Sequence, residues 1–411
     1  MTGHPAAPAS GTAPADPADA VPGDLAMIRA LWPVLLASAA GLLPFTVFGT
    51  FLVPIAEGAD ETVAAVGGLR GLGGLAALAV GVALAPLIDR LPKEWTAAAG
   101  LLLLGLSSAL GATGSFLALT AFCLLVGAAT SMLNPALTAA AADRFGSGGA
   151  AGRAATLVTA TQSLTAMLAA PVIALPALVW GWQGTLSAVA AASLLLGALF
   201  LVRRRSAARA AERPRIGYLA TFRALLAIPG AVPLLLIAFL RTAAFMGYLA
   251  YLAAFYDARF GLTPEVFALV WTLSGGSFFV GNYLSGRLAN AAPPRIGTEA
   301  LLTLGLVLAA ASTLGFAFTT SLPLALALTA LQAVGHAVVA ACVVSLLVRR
   351  SGELRGSALA VNAAGMSLGV FAGAALGGAG LAAAGLTGAG TALGCCVLAA
   401  LVASRWVRPA R

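Results

Sequence analysis

APLIDRLPKE at residues 85–94 and GRLANAAPPR at residues 286–295 decide how this chain folds, because each follows a long apolar run and the two match each other. Their starts differ by 286 − 85 = 201 positions, which sets Leu87 on Leu288 and Asp89 on Asn290. A second pair, DRFGSGGAAGRAA (143–155) and RRSGELRGSA (349–358), carries Gly152 and Gly356 at the opening of the next apolar run. A third, AMLAAPVIA (166–174) and GVFAGAALGG (369–378), is displaced by 369 − 166 = 203 positions. A nearly constant offset at three places marks an internal duplication, and membrane folds in two related halves are built from such repeats.

The runs between these stretches need an apolar solvent. The 411 residues are 60% hydrophobic and 9% charged, with a mean hydropathy of +0.98. A soluble domain carries about 25% charged residues, so this chain could not cover a water-facing surface. Runs of about 20 continuous apolar residues predict helices, whereas barrel strands would alternate over about 10. About twelve spans follow, at roughly 31–56, 63–88, 95–114, 116–140, 154–177, 181–202, 232–256, 264–289, 298–318, 322–348, 357–382 and 385–405. Several contain Gly or Pro, whose freed backbone groups neighbouring helices can satisfy.

Charge placement orients the spans. The net charge of +9 does not imply nucleic acid, because the basic residues sit in short segments between apolar runs. About 20 of the 23 Lys and Arg residues fall on one side, from Arg29 through Arg90, Lys93, Arg144, Arg153, Arg203 to Arg205, Arg287 and Arg295 to Arg349, Arg350 and Arg405. Arg259 alone lies in a loop on the other side, and Arg70 and Arg241 lie within spans. This bias predicts a multi-pass protein of the cell (inner) membrane with both termini cytoplasmic. The organisation read from it is an N-terminal tail (1–25), a six-helix bundle (26–202), a basic cytoplasmic linker (203–231), a second six-helix bundle (232–405) and a short tail (406–411). The N-terminal tail is rich in Pro, Ala and Asp and lacks the pattern of a signal peptide, so the first span is expected to direct insertion. Cys123, Cys342, Cys395 and Cys396 all fall in apolar runs without metal-ligand spacing and read as small buried hydrophobes.

These residues resemble the major facilitator superfamily. Its inner-loop motif, G-x-L-a-D-R-x-G-R-R, is matched by Leu87, Asp89, Arg90 and Lys93, while Ala85, Pro92 and Glu94 depart from it. The second-half copy keeps Gly286 and Leu288, with Asn290 in place of the acid and Arg295 closing the segment. The family's G-x-x-x-G-P-x-x-G-G motif of span five is weakened to Pro171 with Ala166, Ala170 and Ala174, and span eleven fits it better through Gly369, Gly373, Gly377 and Gly378. The resemblance covers nearly the whole chain after residue 25 and implies two pseudo-symmetric bundles of six helices each around a central cavity. Physically, Asp89 at a helix end can bind a neighbouring helix end or Arg and close an inner gate. Arg90 and Lys93 serve that gate or topology alone. Small residues four apart let helices approach closely.

Polar residues inside spans are candidates for function, since a charge in hydrocarbon costs a few kcal/mol at least. Arg241, in LLLIAFLRTAAFMGYLAYL (234–252), falls near mid-span, with Tyr248 and Tyr251 about two and three turns further along. The resemblance puts this span on the cavity, so the three are candidate substrate contacts, alongside His336 and Gln332 of ALQAVGHAVVAAC (330–342). His336 is also the candidate for carrying a coupling proton, because histidine titrates near physiological pH. Arg70, in VGGLRGLGG (66–74), is a candidate outer-gate residue with Glu57, Asp60, Glu61 or Asp257 as partners. Gln162, Asn282 and Asn362 read as helix-to-helix hydrogen bonders, and Trp271 and Phe45 as aromatic packing. No carboxylate sits clearly inside a span, where many proton-driven members of the resembled family have one. Neither a nucleotide-binding loop, a metal-ligand cluster nor a nucleophile–base pair is present, so neither cofactor nor enzymatic activity is expected.

The leading expectation is a monomeric secondary transporter that moves a small molecule by alternating access, most simply the efflux of a drug-like or metabolite compound. The competing expectation is transport of an organic or inorganic anion held by Arg241. A non-transporting receptor or scaffold would need a soluble output domain, and the 203–231 segment is short and irregular. The expected partners are the substrate, the lipid bilayer and, as coupling ion, the proton.

Overall fold

A computed structural model describes residues 24–83, 91–145, 149–203, 223, 227–289, 296–351 and 354–407. Among them the chain is helical, without strands. The first span is built from α1 (Asp24–Ala40), α2 (Leu43–Thr50) and α3 (Leu52–Gly58), followed by α4 (Val63–Ala83), α5 (Lys93–Gly111), α6 (Phe116–Asp143) and α7 (Gly149–Val202). The second half comprises α8 (Ala231–Phe260), α9 (Pro264–Ala289), α10 (Thr298–Phe318), α11 (Leu322–Ser351) and α12 (Arg355–Ala403).

Two of these helices cross the membrane twice. As straight rods, the 54 residues of α7 and the 49 of α12 would be about 80 and 75 Å long, far beyond a hydrocarbon core of about 30 Å. Each breaks at a glycine, Gly181 (φ 64°, ψ −176°) and Gly385 (φ 64°, ψ −157°). That region of backbone space is essentially closed to residues with a Cβ. The two glycines are 385 − 181 = 204 positions apart, which extends the duplication to the backbone itself. Across the second corner Gly380 and Gly388 face each other, so the chain turns back with almost no loop.

Helix packing repeats the pattern. In the first half α5 lies on α6 and α7, and α4 on α6; in the second α10 lies on α11 and α12, and α9 on α11. The halves meet along two equivalent seams, α4 with α12 and α7 with α9. Small residues set the first seam: Gly67, Gly71 and Gly74 of α4 lie against Tyr251, Phe371 and Ser367. In the second seam a Cβ on Gly275 would lie 2.8 Å from the Ala166 carbonyl and 2.9 Å from the Met167 Cα. The apolar core is divided likewise. One cluster runs from Leu31 to Phe200 and borrows only Ala250, Tyr251 and Ala254 from α8, and two others lie within the second half.

The fold is therefore an all-α, multi-pass membrane architecture in two pseudo-symmetric six-span bundles. Nine helices among the described residues are long and apolar enough by themselves to span a bilayer. The linker expected at 203–231 and the tails lie mostly outside the described residues. One expectation changes: Cys123, Cys342 and Cys396 are buried, but Cys395 is exposed on the outer face of α12. At the basic-loop end Arg350 pairs with Glu299 at 3.0 Å, at 11% and 28% side-chain exposure. A partly exposed ion pair at the helix ends is worth about 1 kcal/mol. Glu299→Gln should accordingly lower the melting temperature of the purified protein by no more than about 2 °C, a result that a drop several times larger would contradict.

Candidate functional site

The polar groups of the membrane interior gather in the second half, where α8, α9, α11 and α12 converge. Arg241 lies ten residues into α8, about 15 Å from its end and so near mid-bilayer. It is 4% exposed. Its Nη1 donates to the His336 carbonyl at 3.3 Å and its Nη2 to the Thr242 hydroxyl at 3.1 Å. Among the described residues no carboxylate lies within ion-pairing distance of it.

Helix α11 supplies the facing groups. Gln332 and His336 are one turn apart and fully buried. The imidazole lies 4.9 Å from the Phe245 ring centroid, and Phe245 stacks on Phe278 at 5.4 Å. Neither ring nitrogen of His336 nor either polar atom of the Gln332 amide has a hydrogen-bond partner. A buried polar atom left unpaired costs about 1–3 kcal/mol. Lower in the same bundle the Tyr248 and Tyr256 hydroxyls share the Thr329 hydroxyl, at 2.7 and 2.9 Å. Sequence reading misses Tyr256 and Thr329, because nothing in spacing ties two helices through one hydroxyl.

The other candidates are distributed as follows. Tyr251 sits on the seam: its hydroxyl donates to the Ala374 carbonyl at 2.9 Å and reaches the Ala64 carbonyl at 3.4 Å. Gly369, Gly373, Gly377 and Gly378 all face α8, the last two against the Tyr251 ring. Pro171 lies within α7 and Lys93 opens α5. Asp89, Arg90, Asn290 and Arg295 lie outside the described residues. Arg70, the outer-gate candidate, is held inside the bundle. It is 9% exposed, its Nη1 donates to the Leu249 carbonyl at 3.4 Å and its guanidinium lies 5.7 Å from the Phe45 ring centroid. Among the described residues none of Glu57, Asp60, Glu61 or Asp257 is ion-paired with it. In the first half Gln162 donates to Asn134 at 3.3 Å, a helix-to-helix bond whose acceptor the sequence does not single out. At the end bearing the acidic loops, Thr50, Glu57, Asp257 and Thr263 help line a cleft of about 230 Å³.

Two related helical bundles, joined along two seams and carrying buried polar groups at mid-membrane, define a membrane transporter of the secondary type. The sequence profile described as the Major Facilitator Superfamily matches residues 34–296 and 259–411, so the chain belongs to that family. No curated protein sequence matches the chain. Solved structures with the same fold include a bacterial homologue of the human lysosomal transporter Spinster in an inward-facing, unoccupied conformation, with a TM-score of 0.76 at 16% identity, over 95% of this chain and 100% of that one. The human organic anion transporter MFSD10 (TETRAN) gives 0.62 at 20% identity, over 92% and 99%. The nucleoside transporter NupG gives 0.70 at 14% identity, over 92% and 97%. At these identities the likeness is one of fold.

Proposed function

We propose that this chain carries a small organic anion across the cell membrane by alternating access, with Arg241 holding the negative group. The observation that carries the reading is a guanidinium at mid-membrane, 4% exposed, with a backbone carbonyl and a hydroxyl as partners and no carboxylate among the described residues. A cationic drug would meet that charge as repulsion, and a neutral one would leave it uncompensated. An anion supplies the missing counter-charge. Of the two substrate classes read from the sequence, drug efflux rests on analogy and the anion on this side chain. The organic anion transporter among the solved relatives agrees with the reading without carrying it.

The close approaches between the halves, Gly67 with Tyr251, Gly71 with Phe371, Gly74 with Ser367 and Gly275 with Met167, run from the acidic-loop end to mid-helix. They support an arrangement closed at that end, which the positive-inside bias makes the outer one. We read the protein as a monomer of the inner membrane with both termini in the cytoplasm. The coupling ion in this reading is the proton and His336 its carrier. A proton on that imidazole puts a second positive charge beside Arg241, so proton and anion bind cooperatively, each strengthening the other equally. Anion affinity should therefore rise as pH falls, and His336→Gln should flatten that dependence. A titration that keeps its slope in the variant would remove His336 from coupling.

The deciding experiment is ligand-induced thermal stabilisation of the purified protein across organic anions, lipophilic cations and neutral drugs, for wild type and Arg241→Ala. A ligand that binds only the folded state raises its apparent stability by mass action. Stabilisation by anions that vanishes in the variant is expected. Stabilisation by cations or neutral drugs, equal in both proteins, would overturn the anion reading.

A further inference from the structure

Arg70 and Trp271 are repeat mates. They are 271 − 70 = 201 positions apart, the offset of the duplicated loops, and each lies seven residues into its seam helix, after Val63 of α4 and Pro264 of α9. Both are therefore about 10 Å from the acidic-loop end, at matching depth in opposite halves. The structure brings them to one place. A Cβ on Gly49 would lie 3.1 Å from Arg70 Nη1 and 3.1 Å from Trp271 Cζ2, so the two side chains close on the same glycine of α2. That glycine lets both side chains pack directly on its backbone, where an added methyl would crowd them.

Their chemistry is one-sided. Guanidinium and indole N–H groups donate and cannot accept. Arg70 has one described acceptor, the Leu249 carbonyl at 3.4 Å, for five N–H donors. The Trp271 Nε1 has no partner, although the residue is 8% exposed. Both groups are nine-tenths buried, come from different halves and have donors to spare. The surroundings are aromatic, with Phe45 beside Arg70 and Phe267 at 6.1 Å from the Trp271 ring. Water can supply an acceptor but no negative charge, and a buried cation favours a charged acceptor.

We propose that Arg70 and Trp271, brought together over Gly49, form an oxyanion subsite that straddles the two halves, and that it takes the carboxylate, sulfonate or phosphate group of a small organic acid. The inference rests on the anion reading above and adds a second point of attachment, distinct from Arg241 in depth and helix set. An oxyanion held there is gripped by α4 from one half and α9 from the other. It thus ties the halves together at their closed end, so occupancy is coupled to the gate. Binding energy realised only in the closed arrangement shifts the population toward it, in proportion to the difference in affinity.

The test uses benzoate, benzenesulfonate and phenyl phosphate as probes, with neutral benzamide as control, on the purified full chain. Thermal stabilisation and tryptophan fluorescence give the affinities. Arg70→Gln should weaken oxyanion binding by about tenfold or more, and Arg70→Lys less, since the charge remains without the fork. Trp271→Phe, which keeps a ring and removes one N–H, should weaken it by about three- to tenfold with little change in the ligand-free melting temperature. Gly49→Ala should weaken it by pushing both donors out of position. Should Arg70→Gln fail to fold, Trp271→Phe and Gly49→Ala carry the test. Wild-type oxyanion affinity in Trp271→Phe and Gly49→Ala, together with its loss in Arg241→Ala, would overturn this subsite and leave the proposed function standing. Absence of oxyanion binding to the wild type would overturn both.

Discussion

Gly127→Ala is expected to lower the melting temperature of the detergent-solubilised protein by about 5 °C or more, a large loss for one added methyl group. The added Cβ would overlap the Gly73 carbonyl, where the backbones of α6 and α4 touch directly. A side chain in the way can change rotamer, but a carbonyl in a helix cannot move without its helix. Separating the two helices costs about 3 kcal/mol on the scale of overpacked cores. Because α4 also forms a seam with α12, the displacement passes into the contact between halves. Gly276→Ala is the internal control: its Cβ would meet the flexible Met167 side chain, 3.5 Å from the sulfur. Equal melting temperatures for Gly127→Ala and the wild type, or a greater loss at Gly276, would show that the backbones do not meet as described.

Arg241→Met should have the opposite signature, with transport falling by about 100-fold or more while stability holds or rises. Methionine keeps most of the length of the arginine stem and removes a charge that no carboxylate among the described residues balances. The groups that lose a donor have others available: the His336 carbonyl belongs to the α11 ladder and the Thr242 hydroxyl can turn to its own helix. Retaining a mid-membrane charge costs about 2.5–3.5 kcal/mol on insertion scales, which a merely structural residue would have no reason to bear. Flux of a labelled anion in proteoliposomes, read beside the melting temperature, separates the roles. A variant that unfolds would make Arg241 a structural residue, and one that transports normally would remove it from the site.

Much of the architecture is legible in the sequence because it follows from volume and charge. The runs ending near 177 and 382 and resuming at 181 and 385 coincide with the corners at Gly181 and Gly385, since a span of fixed length leaves few places to turn. Gly369, Gly373, Gly377 and Gly378 advertise a close helix contact by spacing, and the structure puts α8 on them. The partners of single polar groups are less legible. Sequence proximity matches Arg70 with loop acids, and in space it turns instead to Leu249, 179 residues away. Trp271 reads as packing, because an unpaired indole nitrogen leaves no trace in composition. Its position 201 residues from Arg70 is the one available signal, visible only when the duplication is applied to residues that differ in type. The break of the first span into α1, α2 and α3 likewise follows from local backbone geometry rather than hydropathy.

The corners at Gly181 and Gly385 have a mechanical consequence. In each double-crossing helix the first limb forms a seam with the opposite half, as Met167 does with Gly275 and Phe371 with Gly71. The second limb turns outward and shows residues such as Leu195 and Leu398 to the surroundings. With no slack between limbs, a push on the outer limb becomes a pull on the seam. In the proposed alternating-access cycle the lipid-facing limbs and the seams would therefore have to move together, each pair through a single glycine corner.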